Sequence, residues 1–148
     1  MKRVAKGAGI GNILIEEVEI PVISSTQVLI QAESSLISRG SELWRRYAVE
    51  ETVDPRIMGY SLAGRIVEVG DEVDQFVSGD RVVALAPHSQ FVTMEVVNPV
   101  HVPSVIKIAD SLTAEAATFW PLLTSAVLWI DQTRATEDQV VVIIGQGI

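Results

Sequence analysis

The sequence predicts a mainly β fold, arranged as a small, partly open barrel with a few short helices. Residues 27–33 alternate, with Val28, Ile30 and Ala32 on one face, as expected for a half-buried strand. Residues 59–85 have the pattern strand, turn, strand, which is a hairpin that suits any small β-barrel. Gly64 lies inside the first strand of this hairpin, where a glycine marks a bulge, a bend or a close backbone approach.

Shorter segments complete this prediction on both sides of the hairpin. Residues 13–20 are strand-like and end at Pro21, and residues 42–47 suit one or two helical turns. One more strand is expected at 91–97, and residues 105–108 form a short apolar segment.

The last part of the sequence has helical signals followed by a buried strand. A helix is expected from Asp110 or Ser111, and Pro121 suits the first turn of a second helix. Residues 122–130 are apolar almost all round, which predicts a buried helix. The unbroken apolar run 140–144 is typical of a parallel strand covered on both faces.

Composition restricts the classes of protein to which the chain can belong. The 148 residues are 48% hydrophobic and carry a net charge of −8, which predicts a globular chain and disfavours a nucleic-acid partner. The absence of cysteine excludes disulfides and any cysteine-ligated zinc. No apolar run reaches the length of a membrane span. We expect a soluble cytoplasmic protein that acts on a small molecule, without a membrane partner.

The central hairpin also carries a family resemblance. Residues 59–70 have the order Gly-x-x-x-Ala-Gly-x-apolar-apolar-Glu-apolar-Gly, and residues 76–82 have the order Phe-x-x-Gly-Asp-Arg-Val. Together these motifs resemble the medium-chain dehydrogenase/reductase superfamily. These are alcohol-dehydrogenase-like and quinone-reductase-like enzymes, and the match falls in their N-terminal GroES-like domain. With its flanking segments, the resemblance covers the chain from about Val28 to its end.

The resemblance implies two domains and a nicotinamide cofactor. Residues 1–120 correspond to the N-terminal part of the GroES-like catalytic domain, and 121–148 to a linking helix and the first strand of a truncated Rossmann domain. Gly145 and Gly147 then open a dinucleotide-binding fingerprint for NAD or NADP, although a Gly-x-Gly after a strand also forms a simple tight turn. Because the apolar strand 140–144 would lack its sheet, we expect homo-oligomers.

The positions that hold zinc in the resembling enzymes carry other residues. Arg39 stands where the loop cysteine would be, Tyr60 where the histidine of Gly-His-Glu would be, and Trp120 at the third ligand position. A guanidinium stays protonated and does not ligate zinc. The sequence therefore predicts a zinc-independent enzyme.

The candidate catalytic residues are Ser41, Tyr60 and Arg39, each named through the resemblance. Ser41 matches the hydroxyl that relays the substrate proton, and a loop serine bonded to nearby backbone is an equal alternative. Tyr60 either donates a hydrogen bond to a substrate oxygen or is a core tyrosine. Thr124 corresponds to a threonine beside the nicotinamide, or else has a hydroxyl bonded within its helix.

Aromatic side chains supply a candidate substrate pocket. Trp44, Tyr47 and Trp120 either line an apolar pocket or belong to the core. His88 and His101 are interpreted as surface or satisfied histidines.

The chain is predicted to be the N-terminal part of a zinc-independent NAD(P)-dependent oxidoreductase. Such an enzyme transfers hydride to or from a carbonyl, alcohol or activated alkene. This fragment alone is expected to be inactive. The alternative is a non-catalytic GroES-like fragment or interaction module.

Overall fold

The protein forms seven short strands and three α-helices in the computed structural model, which describes residues 1–100 and 103–145. The strands are β1 (Lys2–Lys6), β2 (Ile13–Glu17), β3 (Gln27–Ser35), β4 (Leu62–Val69), β5 (Arg81–Ala84), β6 (Phe91–Glu95) and β7 (Val105–Lys107). The helices are α1 (Arg39–Glu42), α2 (Ala114–Ala117) and α3 (Trp120–Thr133). A π-helical turn, Leu43–Tyr47, continues α1, and a 3-10 turn spans Pro55–Ile57.

Five strands form one antiparallel sheet in the order β6-β3-β4-β5-β7, and β1 pairs with β2 in a separate hairpin. Isolated bridges from Arg3 to Ser89 and from Lys6 to Val53 attach this hairpin to the loops of the sheet. The predicted mainly β class is therefore confirmed. Strands β3 to β6 fall in segments that the sequence marked as extended, and β7 falls in the short apolar segment 105–108.

The core lies on the inner face of the five-stranded sheet. Val28 and Ile30, the first two alternating residues of β3, are fully buried together with Ile66 of β4 and Val82 of β5. Phe76, from the connection between β4 and β5, covers the same cluster. Alternation along a strand sends every second side chain to one face, so the period-2 pattern in the sequence predicted this core.

Gly64 lies where β3 and β4 approach most closely. A Cβ atom at this position would be 2.1 Å from the carbonyl oxygen of Gln31, a separation that real side chains do not adopt. The β3–β4 register also shifts nearby, between Ala32 and Ser34. The glycine therefore permits the close backbone approach that the sequence pattern predicted.

The first C-terminal helix begins later than predicted. Helix α2 starts at Ala114, and the hydroxyl of Thr113 accepts a hydrogen bond from the backbone N–H of Ala116 at 3.2 Å. The prediction of a start at Asp110 or Ser111 was wrong because this N-cap interaction, which satisfies an unpaired amide of the first turn, is available to Thr113.

Helix α3 is exposed, whereas the sequence predicted that residues 122–130 are buried. Leu123 is 60% exposed, and Val127 and Trp129 are each 68% exposed. The prediction was wrong because the five-stranded sheet already buries its inner face without α3, so this part of the helix lies against no layer of the described chain. At 14 residues, α3 is the longest described helix, and none among these residues is long and apolar enough to span a bilayer.

The apolar run 140–144 is also exposed and does not form a strand. Val140 is 90% exposed and Ile144 is 96% exposed. A strand requires a hydrogen-bonded neighbour, and residues 1–100 and 103–145 provide none for this run. The predicted parallel strand is therefore not present in the described chain.

Candidate active site

The loop that carries Ser41 is fixed by a buried carboxylate. Glu42, the residue after Ser41, is fully buried although it lies in a short surface helix. Its Oε1 accepts a hydrogen bond from the backbone N–H of Ser38 at 2.8 Å, and its own N–H donates to the Ser38 carbonyl at 3.0 Å. The carboxylate thereby acts as an internal cap for the turn on which Ser41 is exposed.

His88 is the main partner of this carboxylate. The His88 Nε2 atom lies 2.9 Å from Glu42 Oε2, and both side chains are almost entirely inaccessible to solvent. An ionised carboxylate only accepts hydrogen bonds, so Nε2 carries a proton and donates it to Glu42. On the other side of the ring, Nδ1 lies 3.0 Å from the Ser35 hydroxyl at the end of β3. Tyr47 completes the network by donating its hydroxyl to Glu42 Oε2 at 3.0 Å.

The electrostatics of this network favour an ionised Glu42. Burial by itself raises the pKa of Glu42, but hydrogen bonds from His88, Ser38 and Tyr47 and the charge of His88 bring it below the ordinary value. The pKa of Tyr47 is raised by burial, by the negative charge on Glu42 and by the hydrogen bond it donates there. Tyr47 therefore stays protonated and acts as a donor to the carboxylate.

Gly59 brings the loop before β4 against His88. It has a φ of +108°, and a Cβ here would lie 2.7 Å from the His88 backbone nitrogen. The N–H of His88 donates to the Met58 carbonyl at 2.6 Å, so the two loops are hydrogen-bonded at this point. Only glycine adopts this conformation easily and leaves room for the histidine.

Tyr60 follows this contact and is held by its neighbour Ser61. The buried Ser61 hydroxyl donates to the carbonyl of Thr118 at 2.5 Å, and its own carbonyl accepts from the N–H of Leu36. These bonds tie the start of β4 to the end of α2 and to the loop after β3. The half-buried Tyr60 directly precedes this anchored residue and lies beside the beginning of α3.

Ser41 and Tyr60 both line a cleft of about 890 Å³. Arg46 joins them, and its Nη1 donates to the carbonyl of Gly59 at 3.1 Å. The remaining wall comes from α3 and the residue before it, and it consists of Phe119, Pro121, Leu122, Leu123, Ser125, Ala126 and Trp129. A concave apolar wall with a few convergent polar groups is the usual form of a small-molecule site.

The other predicted catalytic and pocket residues lie outside the lining of this cleft. Arg39 is exposed at the start of α1, and Trp44 is 79% exposed. Tyr47 is directed into the Glu42 network. Trp120 packs against the small cluster formed by Ala63, Val83, Ala114 and Ala117, and its buried indole N–H has no hydrogen-bond partner among the described residues.

The predicted cofactor residues are only partly described. Thr124 is exposed on α3, and Gly145 has a φ of +86°, a backbone conformation that suits a tight glycine turn. Gly147 and His101 lie outside the described residues. Within the ranges 1–100 and 103–145, no three His, Cys, Asp or Glu side chains are grouped in a way that could hold a metal ion.

Sequence reasoning missed the partnership of Glu42 with His88 and the place of Arg46 in the cleft. The sequence interpretation allowed a satisfied histidine at 88, and the structure shows a buried one with a carboxylate partner. The two residues are 46 positions apart, so no local spacing indicated the contact. For Arg46, the only local signal was its position in a helical turn shortly after Ser41.

Comparison with known proteins gives the family. Residues 24–99, more than half of the chain, match the model of the alcohol dehydrogenase GroES-like domain. A curated relative, L-threonine 3-dehydrogenase from Pseudoalteromonas atlantica, is 29% identical over 86 residues, which cover 55% of this chain and 25% of that protein.

Solved structures share the fold. The quinone oxidoreductase of Pseudomonas syringae pv. Tomato DC3000 superposes with a TM-score of 0.67 at 21% identity, over 90% of this chain and 41% of that one. The Escherichia coli quinone oxidoreductase complexed with NADPH gives 0.67 at 16% identity over the same shares. The chain thus spans a quarter of the curated relative and less than half of these structures. It belongs to the alcohol dehydrogenase GroES-like domain family, within the medium-chain dehydrogenase/reductase superfamily of oxidoreductases.

Proposed function

We propose that this chain is the substrate-binding, N-terminal part of a zinc-independent oxidoreductase that uses NAD or NADP. The observation that carries the proposal is that two residues with hydroxyl side chains, Ser41 and Tyr60, both line one apolar cleft. The relatives support the reaction class, because they include an L-threonine dehydrogenase and an NADPH-bound quinone oxidoreductase. Zinc independence rests on the identities of Arg39, Tyr60 and Trp120 at the positions of the family's metal ligands.

The chemistry requires hydrogen-bond donors at the substrate oxygen. When hydride reaches a carbonyl carbon, negative charge develops on the oxygen, and donors already aimed at that point stabilise it. Ser41 and Tyr60 are the hydroxyl donors in the cleft that we assign to this role. Glu42 follows Ser41, and Ser61 follows Tyr60. Both Glu42 and Ser61 are buried and hydrogen-bonded, and they keep the two donors in place.

The described residues fit a nicotinamide dinucleotide in part. Gly145 has the backbone conformation of a glycine turn, and Thr124 is exposed on the helix that lines the cleft. In the proposed protein these residues and Gly147 would contact the cofactor, whose nicotinamide ring supplies or accepts the hydride when bound. The described chain contributes the cleft, its apolar wall and the proton donors.

The test uses this chain joined to a complete nucleotide-binding domain and expressed as one extended protein. Oxidation of NADPH and NADH is followed in single-turnover experiments with a panel of aldehydes, ketones and activated alkenes. We expect Ser41→Ala and Tyr60→Phe each to slow hydride transfer to a carbonyl by about 10²–10⁴-fold, with unchanged cofactor affinity. Ser111→Ala, at an exposed serine outside the cleft, is the matched control.

Two results would contradict the proposal at different levels. Near-native transfer rates in both variants would show that the hydroxyl assignments are wrong. Failure of the extended protein to oxidise either cofactor with any substrate of the panel would instead favour a non-catalytic GroES-like module.

A further inference from the structure

We propose that Arg46 makes the cleft selective for substrates that carry a carboxylate on an apolar body. This inference rests on the proposed function, because it names the substrate class of the same cleft. The carboxylate would pair with the Arg46 guanidinium, while the apolar body would lie against α3 and the reacting carbonyl or alkene would face Ser41 and Tyr60.

The charge distribution is the first observation. The whole chain carries a net charge of −8, so its general field repels anions. The cleft is a local exception, because Arg46 is the one charged side chain among the described residues that line it. The described lining holds no acidic group beside Arg46 and has an apolar wall opposite it, so the guanidinium is the group that attracts an anion entering the cleft.

The second observation is that Arg46 is held in place and keeps free donors. One N–H of its guanidinium donates to the Gly59 carbonyl, next to Tyr60, which fixes the half-buried side chain. A guanidinium has five N–H donors, so most remain available. Arg3, Arg56 and Arg65 each form a salt bridge, whereas no carboxylate within residues 1–100 and 103–145 forms one with Arg46.

The neighbouring carboxylate does not neutralise this arginine. Glu42 lies four residues earlier, but its oxygens accept hydrogen bonds from Ser38, Tyr47 and His88. Its charge is therefore directed into the buried network, away from the cleft. Arg46 is left as an oriented, half-buried cation without a protein counterion in the described chain.

The single positive charge favours a carboxylate over a phosphate ester. A carboxylate carries one negative charge and its two oxygens match the fork of a guanidinium. A phosphomonoester carries about −1.5 to −2 at neutral pH, and one arginine in an acidic protein leaves part of that charge uncompensated.

The experiment is a titration of the 148-residue chain with three probes of similar size: trans-cinnamate, its neutral amide cinnamamide, and phenyl phosphate. Backbone amide shifts in ¹H–¹⁵N NMR locate each site and give its Kd. We expect trans-cinnamate to shift the amides of Ser41, Tyr60 and the first turns of α3. We expect cinnamamide to bind about tenfold or more weakly, as the loss of one charge-assisted hydrogen bond predicts. We expect phenyl phosphate also to bind more weakly than trans-cinnamate, because part of its charge stays uncompensated.

Variants assign the effect to one side chain. Arg46→Gln should weaken trans-cinnamate binding about tenfold or more and leave cinnamamide binding unchanged. Arg45→Gln, at the exposed neighbouring arginine that does not line the cleft, should change neither. If Arg46→Gln does not fold, the comparison of the acid with the amide on the unmodified chain still decides the question.

Four results would each overturn the inference. The first two are equal affinity for acid and amide, and tighter binding of phenyl phosphate than of trans-cinnamate. The other two are the absence of any trans-cinnamate site in the cleft, and undiminished trans-cinnamate binding in a folded Arg46→Gln variant. These outcomes are distinct from failure of the proposed function, because the titration requires no hydride transfer. A chain that binds trans-cinnamate through Arg46, but whose extended form oxidises no cofactor, would support this inference and refute the function.

Discussion

Replacing Glu42 by glutamine tests whether the buried network holds the loop that carries Ser41. The substitution keeps the shape of the side chain but gives it one acceptor and one donor group. The oxygen can still accept from the Ser38 N–H, and the new amide nitrogen then faces the donors of His88 and Tyr47. Tyr47 loses its acceptor, whereas the buried His88 keeps a partner only by moving its proton to Nδ1, next to the Ser35 hydroxyl, and accepting from the new amide at Nε2.

The expected cost follows from these contacts. Replacing the charged hydrogen bond of His88 by a neutral one costs about 1–1.5 kcal/mol and an unsatisfied Tyr47 donor costs about 1–3 kcal/mol, which gives a sum of about 2–4.5 kcal/mol. Tyr47 is only half-buried and can turn its hydroxyl towards water, which keeps the expected loss below the upper end of that range. We therefore expect Glu42→Gln to lower the free energy of unfolding by about 2–4 kcal/mol, measured by urea denaturation at pH 7.

The pH dependence of this loss gives a second, independent readout. Because the pKa of Glu42 is lowered in the folded state, the carboxylate stabilises the fold above its unfolded pKa of about 4.3. That stabilisation disappears as the pH falls through the lower, folded-state pKa. The stability curves of the native chain and of Glu42→Gln should therefore lie apart at pH 6–7 and approach each other below about pH 4.

A matched control separates this effect from the loss of any surface charge. Glu68 lies on β4 with its side chain exposed, and Glu68→Gln should change the stability by no more than about 0.5 kcal/mol. If Glu42→Gln costs no more than Glu68→Gln, or if its deficit does not diminish in acid, the carboxylate does not hold the loop and the reasoning is refuted.

Three further predictions concern other parts of the chain. Gly64→Ala should lower the stability in urea denaturation far more than Gly40→Ala, because a Cβ at Gly64 would clash with the β3 backbone and a Cβ at Gly40 meets nothing within 4 Å. Equal effects of the two substitutions would contradict the close approach of β3 and β4. Elemental analysis after dialysis should find no stoichiometric zinc, and one retained zinc per chain would refute zinc independence. Sedimentation should show that the chain self-associates through the exposed apolar face of α3, and Trp129→Glu should reduce this association without lowering Tm. A native chain that stays strictly monomeric at high concentration would count against self-association.

Much of the fold could be predicted because its signals are local. The alternation in β3 sets which side chains enter the core, and Gly64 marks the point where two backbones approach. The turn residues around Gly70 and Gly79 separate β4 from β5. Each of these features depends on a few neighbouring residues, so the sequence carries it without the rest of the structure.

The prediction for α3 was wrong because burial is not a local property. An apolar helix is buried only where another layer covers it, and the described chain offers no such layer to residues such as Val127 and Trp129. The same reason applies to the run 140–144, which has the composition of a covered strand and no neighbouring strand in the described part of the chain.

The sequence by itself determined the β class, the order of strands β2 to β6 along the chain and the family resemblance, because periodicity, turn residues and motif order depend on consecutive positions. Only the tertiary structure decided which polar groups meet. Glu42 and His88, 46 residues apart, become one buried pair, and Arg46 reaches the same cleft as Ser41 and Tyr60. Such contacts arise from the way the strands pair and the loops pack, and a residue's own neighbours in the sequence do not record them.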